Sequence, residues 1–279
     1  MKLETLLDGL CFGEGPRWHG DRLWLSDMHA HTVLTLDLTG KREDVLHVPG
    51  KPSGLGWLPD GRLLVVSMND RKLLRRDGTA LVLHADLASL ARFHCNDMVV
   101  DAHGRAFVGN FGFDLDAGEK PRPTELIRVD PDGRAVVAAS ELRFPNGSVI
   151  TPDGATLIVG ESFGGCLTAF AIGADGGLSQ RREWAKLEKA VPDGICLDAE
   201  NAVWVASPLT NEVLRVHEGG AISQRISVGR PAIACMLGGP DRRTLFVLSA
   251  DSFRAEEAAR LRTARVEIVR VDVPGAGLP

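Results

Sequence analysis

The chain has 279 residues, of which 44% are hydrophobic and 25% charged, a balance that fits a folded globular protein and excludes disordered and fibrous classes. A formal net charge of −5, with no run of Lys or Arg, argues against nucleic acid or an anionic membrane as partner. Five cysteines without a CxxC pair suggest neither a disulfide framework nor a thiolate zinc site and read as reduced, buried small hydrophobes.

The N-terminal segment Met1 to Asp8 carries acidic residues where a secretory leader would need an apolar run, and no later stretch reaches membrane-spanning length. A cytoplasmic location is therefore the expectation. Beyond it the chain repeats one plan: a polar or small residue, a short apolar strand, an Asp/Gly turn, and a second apolar strand ending in a small residue. The first copy runs from Glu14-Gly15-Pro16-Arg17-Trp18 through Gly20-Asp21-Arg22 into Leu23-Trp24-Leu25-Ser26. The second runs from Ser53-Gly54-Leu55-Gly56-Trp57 through Asp60-Gly61 into Leu63-Leu64-Val65-Val66-Ser67.

Asn96, Asn146 and Asp193 head the third, fourth and fifth copies, and an apolar copy from Ile233 to Leu248 is the sixth. Third strands with period-2 alternation follow, such as Glu125-Leu126-Ile127-Arg128-Val129, and weaker fourth strands, such as Ala135 to Ala139, come after them. The heads are separated by 40 (Glu14 to Gly54), 42 (to Asn96), 50 (to Asn146) and 47 residues (to Asp193). Such periods predict an all-β, six-bladed β-propeller of four-stranded blades, with residues 1–279 as one domain.

The longest insertion, Gly112 to Pro123, follows the second strand of the third unit and is expected to overhang the face where the heads gather. The stretch Phe253 to Arg262 reads as a helix inserted in the last unit. The turn aspartates Asp60, Asp101, Asp153 and Asp198 read as turn geometry rather than chemistry.

Inner strands of a propeller surround a central channel, so equivalent heads form a ring. Glu14, Asn96, Asn146 and Asp193 then place two carboxylates and two amide oxygens together, a donor set for a hard cation. One divalent ion is the expected cofactor, calcium first, with zinc, manganese or magnesium as alternatives. Each tetrapeptide alone is an ordinary turn signal; four in register with the repeat are not. His94 could bind substrate or shuttle a proton, since strand alternation puts it beside Asn96. His29 and His31 lack a third ligand nearby, and Cys95 reads as a structural thiol.

Gly13-Glu14-Gly15-Pro16, Asn96-Asp97 with Asp101-Ala102-His103-Gly104-Arg105, Phe144-Pro145-Asn146-Gly147 and Pro192-Asp193-Gly194-Ile195-Cys196-Leu197-Asp198 resemble the SMP-30/gluconolactonase/luciferin-regenerating-enzyme family over essentially the whole chain. The resemblance implies that Glu14, Asn146 and Asp193 ligate a catalytic divalent metal. It implies that Asn96 completes the shell or contacts substrate, and that Asp114 falls near an acidic substrate-contact position. The implied activity is hydrolysis of small, sugar-derived lactones.

One departure stands out. Where sugar-lactone members commonly have Arg-Phe before the Asn-Asp pair, this chain has His94-Cys95, and Arg92 is not read as a replacement. No Gly-x-Ser-x-Gly elbow is present, so a hydrolase here would use metal polarisation of the carbonyl, with Asp193 as ligand and proton acceptor. Two alternatives share the scaffold: a phosphotriester or phosphofluoridate hydrolase, and a non-catalytic calcium-binding interaction propeller.

Overall fold

Strands that are apolar on both faces need a neighbour on each side, and short Asp/Gly turns join them into meanders rather than crossovers. The computed structural model, which describes residues 2–279, meets both needs with six antiparallel four-stranded sheets. Blade 1 holds β2 (Gly13–His19), β3 (Arg22–Asp27), β4 (Thr32–Leu36) and β5 (Arg42–His47). Blade 2 holds β6 (Pro52–Trp57), β7 (Leu63–Ser67), β8 (Lys72–Asp77) and β9 (Ala80–Asp86). Blade 3 holds β10 (Cys95–Val100), β11 (Ala106–Asn110), β12 (Thr124–Val129) and β13 (Ala135–Leu142).

Blade 4 holds β14 (Pro145–Ile150), β15 (Thr156–Glu161), β16 (Cys166–Ile172) and β17 (Leu178–Lys186). Blade 5 holds β18 (Ile195–Leu197), β19 (Val203–Ser207), β20 (Glu212–Val216) and β21 (Ile222–Ser227). Blade 6 is composite: β22 (Ala232–Gly238), β23 (Thr244–Ser249) and β24 (Ala264–Arg270) are completed by β1 (Glu4–Leu10) from the other end of the chain. The sequence of this N-terminal segment argues only against a leader; in the fold Glu4–Leu10 pins the last blade to the first. Inner strands touch in the cycle β2, β6, β10, β14, β18, β22 and back to β2. The six-bladed propeller is therefore closed.

Burial follows the radial position. The inner strands β10, β14 and β22 are buried at every residue, whereas the outermost β17 is exposed along most of its length. Cores lie between blades: Leu64, Val66, Met98, Val100 and Val108 join blades 2 and 3, and Val149, Ile158, Leu197, Val203 and Leu214 join blades 4 and 5. The expected helix is present as α1 (Ala255–Leu261) between β23 and β24. It is the sole α-helix among the described residues, and no helix there is long and apolar enough to cross a membrane.

All four turn aspartates accept backbone amides two residues on, Asp60 from Arg62, Asp101 from His103, Asp153 from Ala155 and Asp198 from Glu200, as Asx geometry requires. These turns mark the far mouth of the channel. The C-terminal residues cross it, with Leu278 bridged to Ile150 and Gly275 to Asp198. Cavities of about 610 and 300 Å³ flank that tail. The Asp101 and Arg105 pair lining the larger one is bonded to itself at 2.6 Å.

Inner strands can crowd the axis only where side chains are absent. A Cβ on Gly147 would lie 2.5 Å from the Ile195 amide nitrogen and 2.6 Å from the Asp193 carbonyl oxygen, and one on Gly194 would lie 2.4 Å from Ala234 Cβ. Backbone cannot yield as a flexible side chain would. Gly147→Ala is expected to lower the free energy of unfolding by about 1–3 kcal/mol; an unchanged urea midpoint would show that the inner strands have slack.

Candidate active site

The donors are presented by a device the sequence did not announce. Five inner strands carry a register shift at their heads, between Glu14 and Arg17, Pro52 and Leu55, Cys95 and Met98, Pro145 and Ser148, and Ala232 and Ala234. In the sixth, β18 begins only after the head, and Asp193 and Gly194 bond by backbone to Ala206. Bulges re-aim side chains out of the pleat. Here they take Asn96 and Asn146 out of their ladders and begin directly after Glu14, which stays paired with Ser26.

Glu14 is 6% exposed, and its Oε2 accepts only the Gly15 amide at 3.0 Å. Burial raises its carboxyl well above the ordinary range, and the nearby charges of Asp193 and Asp97 add to the shift, against the Gly15 amide and Arg17. Asp193 is pushed up to about 8, again by burial first, with Asp97 adding and the Asn146 amide opposing. As a whole residue Asp193 retains some exposure, yet its Oδ1 is shut off from solvent and has no hydrogen-bond partner. These mutual influences bring Glu14, Asp193 and Asp97, from blades 1, 5 and 3, into one electrostatic cluster.

The Asn146 amide is oriented by its neighbours. Ser162 Oγ donates to the Pro192 carbonyl at 2.7 Å, which leaves its lone pair to accept Asn146 Nδ2 at 3.2 Å. The opposite atom, Asn146 Oδ1, is buried and unbonded. Asn96, 4% exposed, has its Oδ1 3.5 Å from the Ser53 hydroxyl of blade 2. Among the described residues no three His, Cys, Asp or Glu side chains gather as a metal cluster, so a cation here would rest on two carboxylates supplemented by amide oxygens. Unbonded oxygens on both Asp193 and Asn146 fit that role, because a buried acceptor without a donor is costly unless something electropositive meets it.

His94 lies in the loop before β10, outside the strand, so simple alternation does not relate it to Asn96. Its ring packs on Phe93 at 4.1 Å and Phe111 at 6.0 Å. Burial lowers its pKa, as does Lys51, while Asp114 and Asp116 oppose this, which places the long loop over it. Asp114 itself caps that loop, accepting the Ala117 amide at 2.9 Å. Arg92 turns to Glu125 at 3.2 Å. His29 bonds the Phe253 carbonyl and His31 the Pro49 carbonyl, so the two share no ligand position. The Cys95 thiol is pushed up to about 12 by burial, as an inert core group would be.

Arg17 and Asp97 were missed by the sequence reading. Arg17 Nη2 meets Asp97 Oδ1 at 2.6 Å, both side chains nearly inaccessible, and also bonds the Met98 carbonyl. Its Nε reaches the Leu55 carbonyl and its Nη1 the Pro16 carbonyl, so one guanidinium ties blades 1, 2 and 3. A signal existed. With Ser53, which opens the second copy, taken as its head, the residues after the six heads are Gly15, Gly54, Asp97, Gly147, Gly194 and Ala234, and only Asp97 is neither glycine nor alanine.

A match to the model of the SMP-30/gluconolactonase/LRE-like region extends over residues 12–251. The chain belongs to this family. It is 29% identical over 278 residues to 6-deoxy-6-sulfogluconolactonase of Pseudomonas putida, covering 96% of this chain and 94% of that one. Regucalcin of Gallus gallus is 30% identical over 268 residues, covering 90% and 87%. Among solved structures, a calcium-binding protein, regucalcin, from Agrobacterium tumefaciens superposes with a TM-score of 0.83 at 24% identity, over 100% of this chain and 96% of that one.

The raised carboxyls have a consequence for the metal-free protein. A carboxyl held near 8 in the fold and near its ordinary 3.8 when unfolded keeps a proton that the unfolded chain releases. Its contribution is complete below about pH 4 and is lost as pH rises through 8. In chelator, Asp193→Asn should therefore gain stability relative to wild type from pH 5 to pH 8 in urea titrations; parallel profiles would show that Asp193 is not confined.

Proposed function

We propose that the chain is a metal-dependent lactonase, a carboxylic-ester hydrolase that opens small lactones to hydroxy acids. What carries this reading is the pair of buried, proton-retaining carboxylates, Glu14 and Asp193, beside unbonded oxygens of Asp193 and Asn146 at one mouth of the channel. The family, and a relative named 6-deoxy-6-sulfogluconolactonase at 29% identity, support lactones as the substrate class. The five free cysteines agree with a cytoplasmic place.

Glu14, Asn146 and Asp193 would hold one divalent cation, with Asn96 on the same ring completing the set or touching substrate. Oxygen donors of this kind favour calcium, and zinc, manganese and magnesium are compatible. Such an ion supplies Lewis-acid polarisation of the lactone carbonyl and relief of the carboxylates' repulsion. Asp193, ionised in that setting, would accept a proton from the attacking water; its Oδ1 is the buried oxygen left without a protein hydrogen bond. Ser162 fixes the Asn146 amide with its oxygen turned from the hydroxyl. His94, with its pKa lowered, is neutral at pH 7 and offers substrate a hydrogen bond rather than a charge.

Chelation should abolish lactone opening in a pH-indicator assay, and calcium or another divalent ion should restore it. Asp193→Ala and Asn146→Ala should each lower kcat/KM by more than about a hundredfold and weaken metal binding, with circular dichroism unchanged. Full activity in chelator, or in either variant, would refute the reading.

A further inference from the structure

Aromatic residues are only 5% of the chain, yet six aromatic rings meet beside Asn96 and Asn146. Phe111 and Phe144 stack at 4.5 Å, Phe113 and Phe163 meet edge to face at 5.3 Å, Phe144 and Phe163 lie 5.3 Å apart, and His94 and Phe93 extend the cluster. Its position is set by backbone. Phe144 directly precedes Pro145-Asn146, and the Ser162 and Phe163 amides bond the Phe144 and Arg143 carbonyls. The Phe111 amide bonds the His94 carbonyl, two residues before Asn96. The wall thus bridges blades 3 and 4 just outside the two amide donors.

Two further observations show more than loop packing. Phe144 holds a φ of 62°, a conformation that a bulky residue adopts only under constraint and that recurs at functional sites. Phe163 remains 46% exposed although it caps the cluster, and Leu209 (69%) and Phe253 (59%) are likewise exposed in the loops after β19 and β23. The loops following the second strands of blades 4, 5 and 6 therefore each present a large apolar side chain on the donor face. Two guanidiniums are close in sequence: Arg92 is engaged by Glu125, and Arg143, next to Phe144, is exposed.

We propose, on the basis of the lactonase reading above, that the exposed Phe163 and part-exposed Phe111, backed by the buried Phe144, form an apolar subsite selecting lactones that carry a non-hydroxylated carbon arm. A sugar hydroxyl laid against the phenyl faces, away from His94, would lose its water partners without replacement, whereas an alkyl arm gains from leaving water. Phe163, at the open edge, is the specificity-determining residue.

The test measures kcat/KM for δ-valerolactone, its 5-propyl and 5-pentyl derivatives, and glucono-1,5-lactone. The expected result is a rise of about three- to fourfold per methylene of arm, with the alkyl lactones above the sugar lactone. Phe163→Ala should lower the rate for the pentyl compound about tenfold more than for the unsubstituted ring, and Phe163→Leu should recover part of the difference. A preference for glucono-1,5-lactone, a flat series, or equal loss on all substrates in Phe163→Ala would overturn the subsite while leaving the lactonase reading in place. Failure to open any lactone would overturn both.

Discussion

The rest of the structure depends on two carboxylates confined near the axis of a closed ring, neither of them bonded to a cationic side chain among the described residues. Glu14 and Asp193 come from blades 1 and 5, and the charge of Asp193 makes Glu14 harder to ionise. Like charges brought together in a poorly solvated site cannot both persist unless a proton or a metal ion intervenes. The fold holds them there all the same. Bulges follow Glu14 and free Asn96 and Asn146 from their ladders, Gly147 and Gly194 let the inner strands close in, and Ser162 turns an amide oxygen away from its own hydroxyl.

A buried third acid is handled differently. Asp97 is satisfied by Arg17 and by the Met98 amide, so its charge is compensated within the protein. The same guanidinium bonds three blades, which makes it both a counter-ion and a brace for the channel. Asp193 has no guanidinium paired with it among the described residues, and its Oδ1 is left unbonded. That contrast between acids in one cluster separates a structural carboxylate from those available to a ligand.

Much of this architecture is legible in the sequence because the repeat fixes it: six heads at regular steps, Asx turns between strands, and apolar runs too short for helices. Glu14, Asn146 and Asp193 stand out since oxygen-bearing residues recur at one phase of the repeat. What the sequence conceals are relations between blades. The pairing of β1 with β24 and the crossing of Arg17 to Asp97 link residues far apart in the chain, with no local pattern to betray them. Bulges are invisible for a related reason, since a one-residue excess in a ladder is defined by its partner strand. His94 shows the effect, as alternation fails at the bulged head of β10. The aromatic wall was hidden similarly, its members being scattered over loops whose meeting depends on closure of the ring.

The claim that these carboxylates await a cation is tested most directly by calorimetric titration of calcium into metal-free protein at pH 7, in two buffers of different ionisation enthalpy. The account predicts saturable binding of about one ion per chain with release of about one proton, because Asp193 enters the titration largely protonated. Absence of saturable binding at millimolar calcium, or binding with no proton exchanged, would contradict it.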